Sequence, residues 1–285
     1  MKYGVIDVGS NSVRLMMSDG VKTLYKSVCT TRLAEGMTDD KKLSLIAINR
    51  TADAICRFVD KAKVDGADKV YAFATAAVRQ SSNSQTFLDK VKSLCDIDVE
   101  VISGEREAYL GLIGALNGAN GGIIDVGGAS TEVAVVQDKN TVYSKSVPLG
   151  AVKLKDACGQ DLPKAKDKVL SVISEFTDTI KTEYFTIGGT ATSIAAMLQE
   201  LEPYDPNKTH GYKITFGELK ALTDKLYEMT IDERKKLKGL QPERAEVIAG
   251  GALILLEVMK KIGLKVITVS ESDNLEGYLK QILEK

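Results

Sequence analysis

The segment Gly4-Val5-Ile6-Asp7-Val8-Gly9-Ser10-Asn11-Ser12 returns 118 residues later as Gly122-Ile123-Ile124-Asp125-Val126-Gly127-Gly128-Ala129-Ser130, with six of nine positions identical. In each copy an apolar, β-branched run ends in one aspartate. A glycine-containing turn with hydroxyls follows, and then a second apolar run, Val13 to Met17 or Thr131 to Val136. Each copy therefore reads as a strand, a tight turn and a return strand. Self-similarity at so long a spacing predicts two related domains, each offering one such loop.

A length of 285 residues suits two domains. The cluster Asn117-Gly118-Ala119-Asn120-Gly121-Gly122 places the boundary between residues 1–118 and 119–285. The first half reads β-β-β-α-β-α-β-α, with strands at 69–74 and 99–102 and helices at 43–63, 83–94 and 103–116. Residues 75–79 read as a turn. The second half repeats the plan, with three strands to about Val147, one long helix from Pro163 to Glu183 and a strand at 184–187. A polar loop is expected at 201–213, helices at 216–228, 231–236 and 242–262, and a strand at 265–269. A last helix over 274–284 is expected to pack back on the first domain. The class is α/β.

Composition removes several functions. No apolar run approaches the ~20 residues needed to cross a bilayer, so no membrane partner is expected. A net charge of −1 excludes a dedicated nucleic-acid binder. The N-terminus enters a strand without a basic, apolar leader, so a cytoplasmic location is expected. The four cysteines form no CxxC and are expected to be reduced and buried as small apolar residues. The basic runs, Arg234-Lys235-Lys236-Leu237-Lys238 among them, read as solvated helix faces. One histidine, His210, leaves no means of building a His-rich metal site or a Ser-His-Asp triad.

The residues that remain point to phosphate. A Gly-Ser-Asn-Ser or Gly-Gly-Ala-Ser turn can aim several backbone N–H groups at one point, and such concavities hold phosphate oxygens. Asp7 and Asp125 end strands at the sheet edge where ligands of open α/β sheets bind. A carboxylate beside phosphates needs a cation between them, and Mg²⁺ fits. Arg14 and Arg79 suit bidentate phosphate binding, although each alone reads more often as a surface ion-pair residue. In Ser103-Gly104-Glu105-Arg106-Glu107-Ala108 the acids suit a helix start, and a glutamate there could also accept a proton from water. Gly188-Gly189-Thr190 is either a third phosphate-facing turn or a close strand–helix contact.

Several stretches together resemble the exopolyphosphatase/guanosine pentaphosphate phosphohydrolase (Ppx/GppA) family of the actin/hexokinase-like superfamily. They are Asp7 to Leu15, Ala74 to Arg79, Ser103 to Ala108, Asp125 to Glu132, Pro148 to Val152, Gly188 to Thr190 and Pro242 to Ile248. The resemblance implies two actin-like (ribonuclease H-like, ASKHA) domains with a cleft between them. It implies a Mg²⁺-dependent hydrolase that releases terminal phosphate from polyphosphate or guanosine pentaphosphate, as a homodimer. By the same token Glu107 is the base, Asp125 handles Mg²⁺ with Asp7 and Glu132 beside it, and Ser10, Asn11, Ser12, Gly127, Gly128 and Ser130 cradle phosphate with Arg14 and Arg79.

Departures from the family pattern are Ala129 for a glycine, Arg106 for an acid and Asn274-Leu275-Glu276-Gly277 without its arginine. If position 129 needs φ > 0, alanine costs about 1 kcal/mol. The extra helical region of longer members is missing, which favours short chains or compact substrates. The alternatives are a guanosine pentaphosphate hydrolase, a non-catalytic polyphosphate or (p)ppGpp sensor, and an ATP-dependent kinase of the same superfamily.

Overall fold

The repeated hairpin is present twice, and it seeds two sheets of the same topology. The structure, a computed structural model, describes residues 1–37, 40–177 and 180–284. The first elements are β1 (Tyr3–Val8), β2 (Ser12–Ser18), β3 (Thr23–Thr30), α1 (Leu45–Val64), β4 (Lys69–Ala74), α2 (Ala76–Gln80), α3 (Ser84–Cys95), β5 (Val99–Val101) and α4 (Gly104–Leu116). Then come β6 (Gly121–Val126), β7 (Thr131–Gln137), β8 (Asn140–Val147), α5 (Ala151–Cys158), α6 (Leu162–Ile173), β9 (Tyr184–Ile187) and α7 (Gly188–Leu198). The last are α8 (Pro206–Thr209), β10 (Lys213–Thr215), α9 (Phe216–Glu228), α10 (Ile231–Arg234), a 3₁₀ turn (Pro242–Arg244), α11 (Ile248–Ile262), β11 (Val266–Val269) and α12 (Asn274–Leu283).

Two compact units result: Met1–Leu110 with Asn274–Lys285, and Gly111–Asp273. The division falls inside α4 rather than in the Gly/Asn cluster at 117–122. A helix carries the chain onward there, so the sequence boundary signal marks only the turn before β6.

Unit 1 has the strand order β3-β2-β1-β4-β5, and unit 2 has β8-β7-β6-β9-β11 with β10 added at the edge. In both, the first two pairings are antiparallel and the next is parallel. Even the irregularities repeat. The ladder shifts register between Met17 and Ser18 in unit 1 and between Val135 and Val136 in unit 2, which are equivalent positions. This is the actin-like arrangement, and in each unit it brings the aspartate of the repeated motif to the carboxyl edge of a central strand.

Burial explains the elements. β1 and β6 are buried along their whole length, as strands covered on both faces must be. In unit 1, Leu275, Tyr278 and Leu279 of α12 join Tyr3, Val5, Met16 and Phe73 in one apolar cluster, with the Phe73 and Tyr278 rings stacked at 4.6 Å. Each buried leucine there stabilises the unit by roughly 2 kcal/mol. In unit 2, α11 is buried on every side from Ile248 to Met259. A helix apolar all round belongs inside, and β6, β7, β9 and β11 with helices α5, α6, α7 and α9 contribute to the core around it.

Three expectations are corrected. The long helix over 163–183 is shorter and ends at Ile173, although Asp178 and Thr179 lie outside the described residues. Residues 76–80 form a short helix rather than a turn. Cys29, Cys56 and Cys95 are half-buried, and only Cys158 is buried.

Candidate active site

In unit 1 the first loop is a tight hairpin turn. The Gly9 N–H donates to the Ser12 carbonyl at 3.0 Å. The carbonyls of the loop are tied back by the chain that follows: Ser10 O accepts from Ala34 N at 2.9 Å, and Asn11 O accepts from Thr31 and Arg32 N. In a planar trans peptide the C=O and the next N–H point opposite ways. The N–H groups of Asn11 and Ser12 are therefore turned away from the supporting segment, toward whatever approaches the loop.

Unit 2 turns a pair of N–H groups outward in the same way, one position earlier in the repeat and with different partners. Gly127 N donates to Ser130 O at 3.0 Å, and the carbonyls of Gly127 and Gly128 accept from Ala151 and Val152 N, both at 2.9 Å. This turns the Gly128 and Ala129 N–H groups outward. The supporting contact is so close that a Cβ at Gly150 would lie 2.5 Å from the Gly127 oxygen. Ala129 is fully buried and is not among the positive-φ residues, so the alanine at this position carries no left-handed strain.

The side chains behind the two loops differ. Directly opposed cross-strand residues share a sheet face. In unit 1 the pair is Asp7 and Arg14, and Arg14 Nε donates to Asp7 Oδ2 at 3.0 Å. Asp7 and Arg14, expected to serve metal and phosphate separately, are thus each other's partners. In unit 2 the equivalent pair is Asp125 and Glu132, both buried. Glu132 Oε1 accepts from the Ser146 hydroxyl at 2.7 Å, which fixes its orientation. Two facing acids repel unless a cation or a proton lies near them. Gly188 follows β9, the parallel neighbour of β6, and has φ +79°. A Cβ there would come within 2.8 Å of Asp125 Oδ1, so the glycine leaves the carboxylate a cradle. That acid pair and cradle suit Mg²⁺, which takes one or two carboxylates and completes its shell with phosphate oxygens and water. Among the described residues no group of three or more His, Cys, Asp or Glu side chains could hold a metal ion unaided.

Glu107 lies in the first turn of α4, where Ser103 caps the helix by accepting from Arg106 N at 3.1 Å. It is 7% exposed. Arg79, carried by α2, donates from Nη1 both to Glu107 Oε2 at 2.8 Å and to the Ile102 carbonyl at 2.9 Å. Burial pushes the Glu107 carboxyl up to about 7, with the charge of Asp7 adding to the rise. Arg79 and the Thr75 hydroxyl pull the other way. Glu105, two residues earlier, is held low by its backbone and Ser103 hydrogen bonds and is an ionised surface acid. Of the two glutamates at this helix start, only Glu107 is poised to exchange a proton near neutrality.

One functional candidate escaped the sequence. The Arg244 guanidinium covers Gly189 in the first turn of α7, where a Cβ would lie 2.2 Å from Nη1. Thr190 anchors the same turn by donating to the Val126 carbonyl at 2.8 Å. A helix start and an arginine together favour anionic oxygens. The signal available was Arg244 within the Pro-Glu-Arg-Ala stretch, but 55 residues separate it from Gly189, and only the packing joins them.

Sheet topology, the duplicated aspartate turns and a buried acid on an arginine define an actin-like phosphate-handling protein. The Ppx/GppA phosphatase family model matches residues 13–285, and the chain belongs to that family. It is 30% identical to the bifunctional 3-dehydroquinate synthase/phosphatase of Fusobacterium nucleatum, over 98% of this chain and 46% of that protein, so it spans about half of that relative's length. It is 28% identical to exopolyphosphatase 2 of Mycobacterium tuberculosis, over 97% of each. Among solved structures it superposes on an exopolyphosphatase from Cytophaga hutchinsonii with a TM-score of 0.87 and 25% identity, over 100% of this chain and 98% of that one. No helix among the described residues is long and apolar enough to cross a membrane.

Proposed function

We propose that the chain is a Mg²⁺-dependent phosphoanhydride hydrolase that releases terminal phosphate from inorganic polyphosphate, with Glu107 as the general base. The observation that carries this is the buried Glu107 carboxyl, raised to about 7 and oriented by Arg79. A base of that strength holds a useful ionised fraction at neutral pH and still takes a proton from attacking water. Within each unit the outward N–H pair of its own loop would bind phosphate oxygens, with Ser10 and Ser12 in unit 1 and Ser130 in unit 2. Arg14, Arg79 and Arg244 would offset their charge. Asp125 and Glu132 would hold Mg²⁺, which when bound neutralises phosphate oxygens and eases charge build-up on the leaving group. Most of the acceleration in phosphoryl transfer comes from such positioning and charge stabilisation.

The test is phosphate release from tripolyphosphate, long-chain polyphosphate and guanosine pentaphosphate, with and without Mg²⁺. Release that requires Mg²⁺ and favours short polyphosphate is the expected result. Preference for guanosine pentaphosphate would reassign the substrate. Tight binding of all three without phosphate release would replace the hydrolase with a sensor, and ATP consumption rising with an added acceptor would replace it with a kinase.

A further inference from the structure

Among the described residues, the largest side chain that is wholly buried is an arginine. Arg234 ends α10 and opens a basic run whose other members, Lys235, Lys236 and Lys238, are exposed. Its guanidinium is held by three neutral acceptors and, among the described residues, by no carboxylate. Nε donates to Leu226 O at 2.7 Å, Nη1 to Ala245 O at 3.3 Å and Nη2 to the Gln160 side chain. A charge taken out of water without a counter-ion is costly. What it gives in return is a planar fork that ties together α9, the loop between α5 and α6, and the turn ahead of α11.

That last turn matters most. Residues 235–247 contain almost no regular structure and run as successive turns, with Leu237 N on Arg234 O, Leu240 N on Leu237 O and Arg244 N on Gln241 O. The segment lies against α7 at two points. Gly239, at φ +79°, sits where a Cβ would be 2.3 Å from the Ala196 oxygen, and Arg244 covers Gly189. Arg244 also donates from Nε to Gln241 Oε1 at 3.1 Å, a contact within the same short turn. The bond from Arg234 to Ala245 O pins the residue that follows Arg244 to the interior of unit 2.

We propose that Arg234 is a positioning residue: it fixes the turn at 242–245 so that the Arg244 guanidinium stays over the start of α7, and so sets the affinity of that end for a phosphate-chain ligand. The proposal rests on the assignment of phosphate oxygens to Arg244 made above. Lysine cannot replace the fork, because one compact ammonium cannot span three separated acceptors.

The test is a double-mutant cycle on the full chain. Calorimetry measures the binding of tripolyphosphate with Mg²⁺, and phosphate release gives kcat and KM. Arg244→Ala is expected to weaken binding by about tenfold, and Arg234→Lys by a comparable factor with kcat nearly unchanged. In the Arg244→Ala background, Arg234→Lys is expected to add nothing, because its effect is transmitted through Arg244. Gln160→Ala, on an exposed residue, loosens one arm of the fork with little risk to folding and is expected to shift binding in the same direction by less. Independent, multiplying effects of the two arginine substitutions would overturn the proposal and leave Arg244's own role standing. So would a lowered melting temperature with wild-type binding in both Arg234→Lys and Gln160→Ala. Wild-type tripolyphosphate binding by Arg244→Ala would overturn both the proposal and the assignment beneath it.

Discussion

Replacing Glu107 by glutamine is expected to make the protein more stable and less active, and the stability gain should depend on pH. The folded carboxyl is raised from 4.5 to about 7, so the folded state keeps its proton at pH values where the unfolded chain has lost it. Between those values the folded state binds more protons, so wild-type stability falls as pH rises, and above about 7 the loss levels off near 3 kcal/mol. Glutamine has the same shape, still offers an oxygen to Arg79 Nη1, and does not titrate. Its advantage over wild type should be small at about pH 5 and reach about 1–3 kcal/mol at about pH 8, the lower end allowing for the carboxylate charge that no longer faces Arg79. Urea unfolding of both proteins, followed by circular dichroism across this pH range, reads the difference directly. A gap that does not change with pH, or a variant less stable at the alkaline end, would refute the assignment of the raised carboxyl to Glu107.

Other outcomes follow from the same geometry. Arg79→Met removes the cation that holds Glu107 down, so the acid limb of kcat/KM should move to higher pH; an unmoved limb would separate Arg79 from the base. Gly150→Ala puts a Cβ 2.5 Å from the Gly127 oxygen and should distort the second loop, cutting kcat/KM by about tenfold or more while circular dichroism stays native; normal kinetics would show that the loop does not bind phosphate. Glu132→Gln should raise the Mg²⁺ concentration needed for half-maximal activity several-fold, and an unchanged Mg²⁺ titration would remove Glu132 from the metal. Gly277→Ala would place a Cβ 1.9 Å from the Leu110 oxygen and should destabilise unit 1 by about 1–3 kcal/mol in thermal melts. An unaltered melting temperature would contradict the seating of α12.

The hairpins were legible because apolar β-branched runs, a terminal aspartate and turn glycines are local signals, and the duplication let each copy support the other. The start of α4 was legible for the same reason, since Ser103 and the acids after it are a local cap. Features set by distant contacts were not. β10 is three residues long and exists only because β11 pairs with it. Helix α5 was hidden behind Pro148-Leu149-Gly150, where the glycine reads as a loop until its close approach to Gly127 is seen. The pairing of Asp7 with Arg14, and of Arg79 with Glu107, needs the register and the fold. Arg234 was misread because a basic run looks solvated whichever of its members turns inward. Arg244 lies far from Gly189 in sequence.

The hydrolase assignment is tested most directly by measuring phosphate release from tripolyphosphate by wild-type protein and Glu107→Gln, with Mg²⁺ present and binding followed in parallel by calorimetry. The expected result is a loss of at least about a hundredfold in turnover, with tripolyphosphate affinity close to wild type. Turnover near the wild-type rate in a well-folded Glu107→Gln would contradict the role of Glu107 as the base.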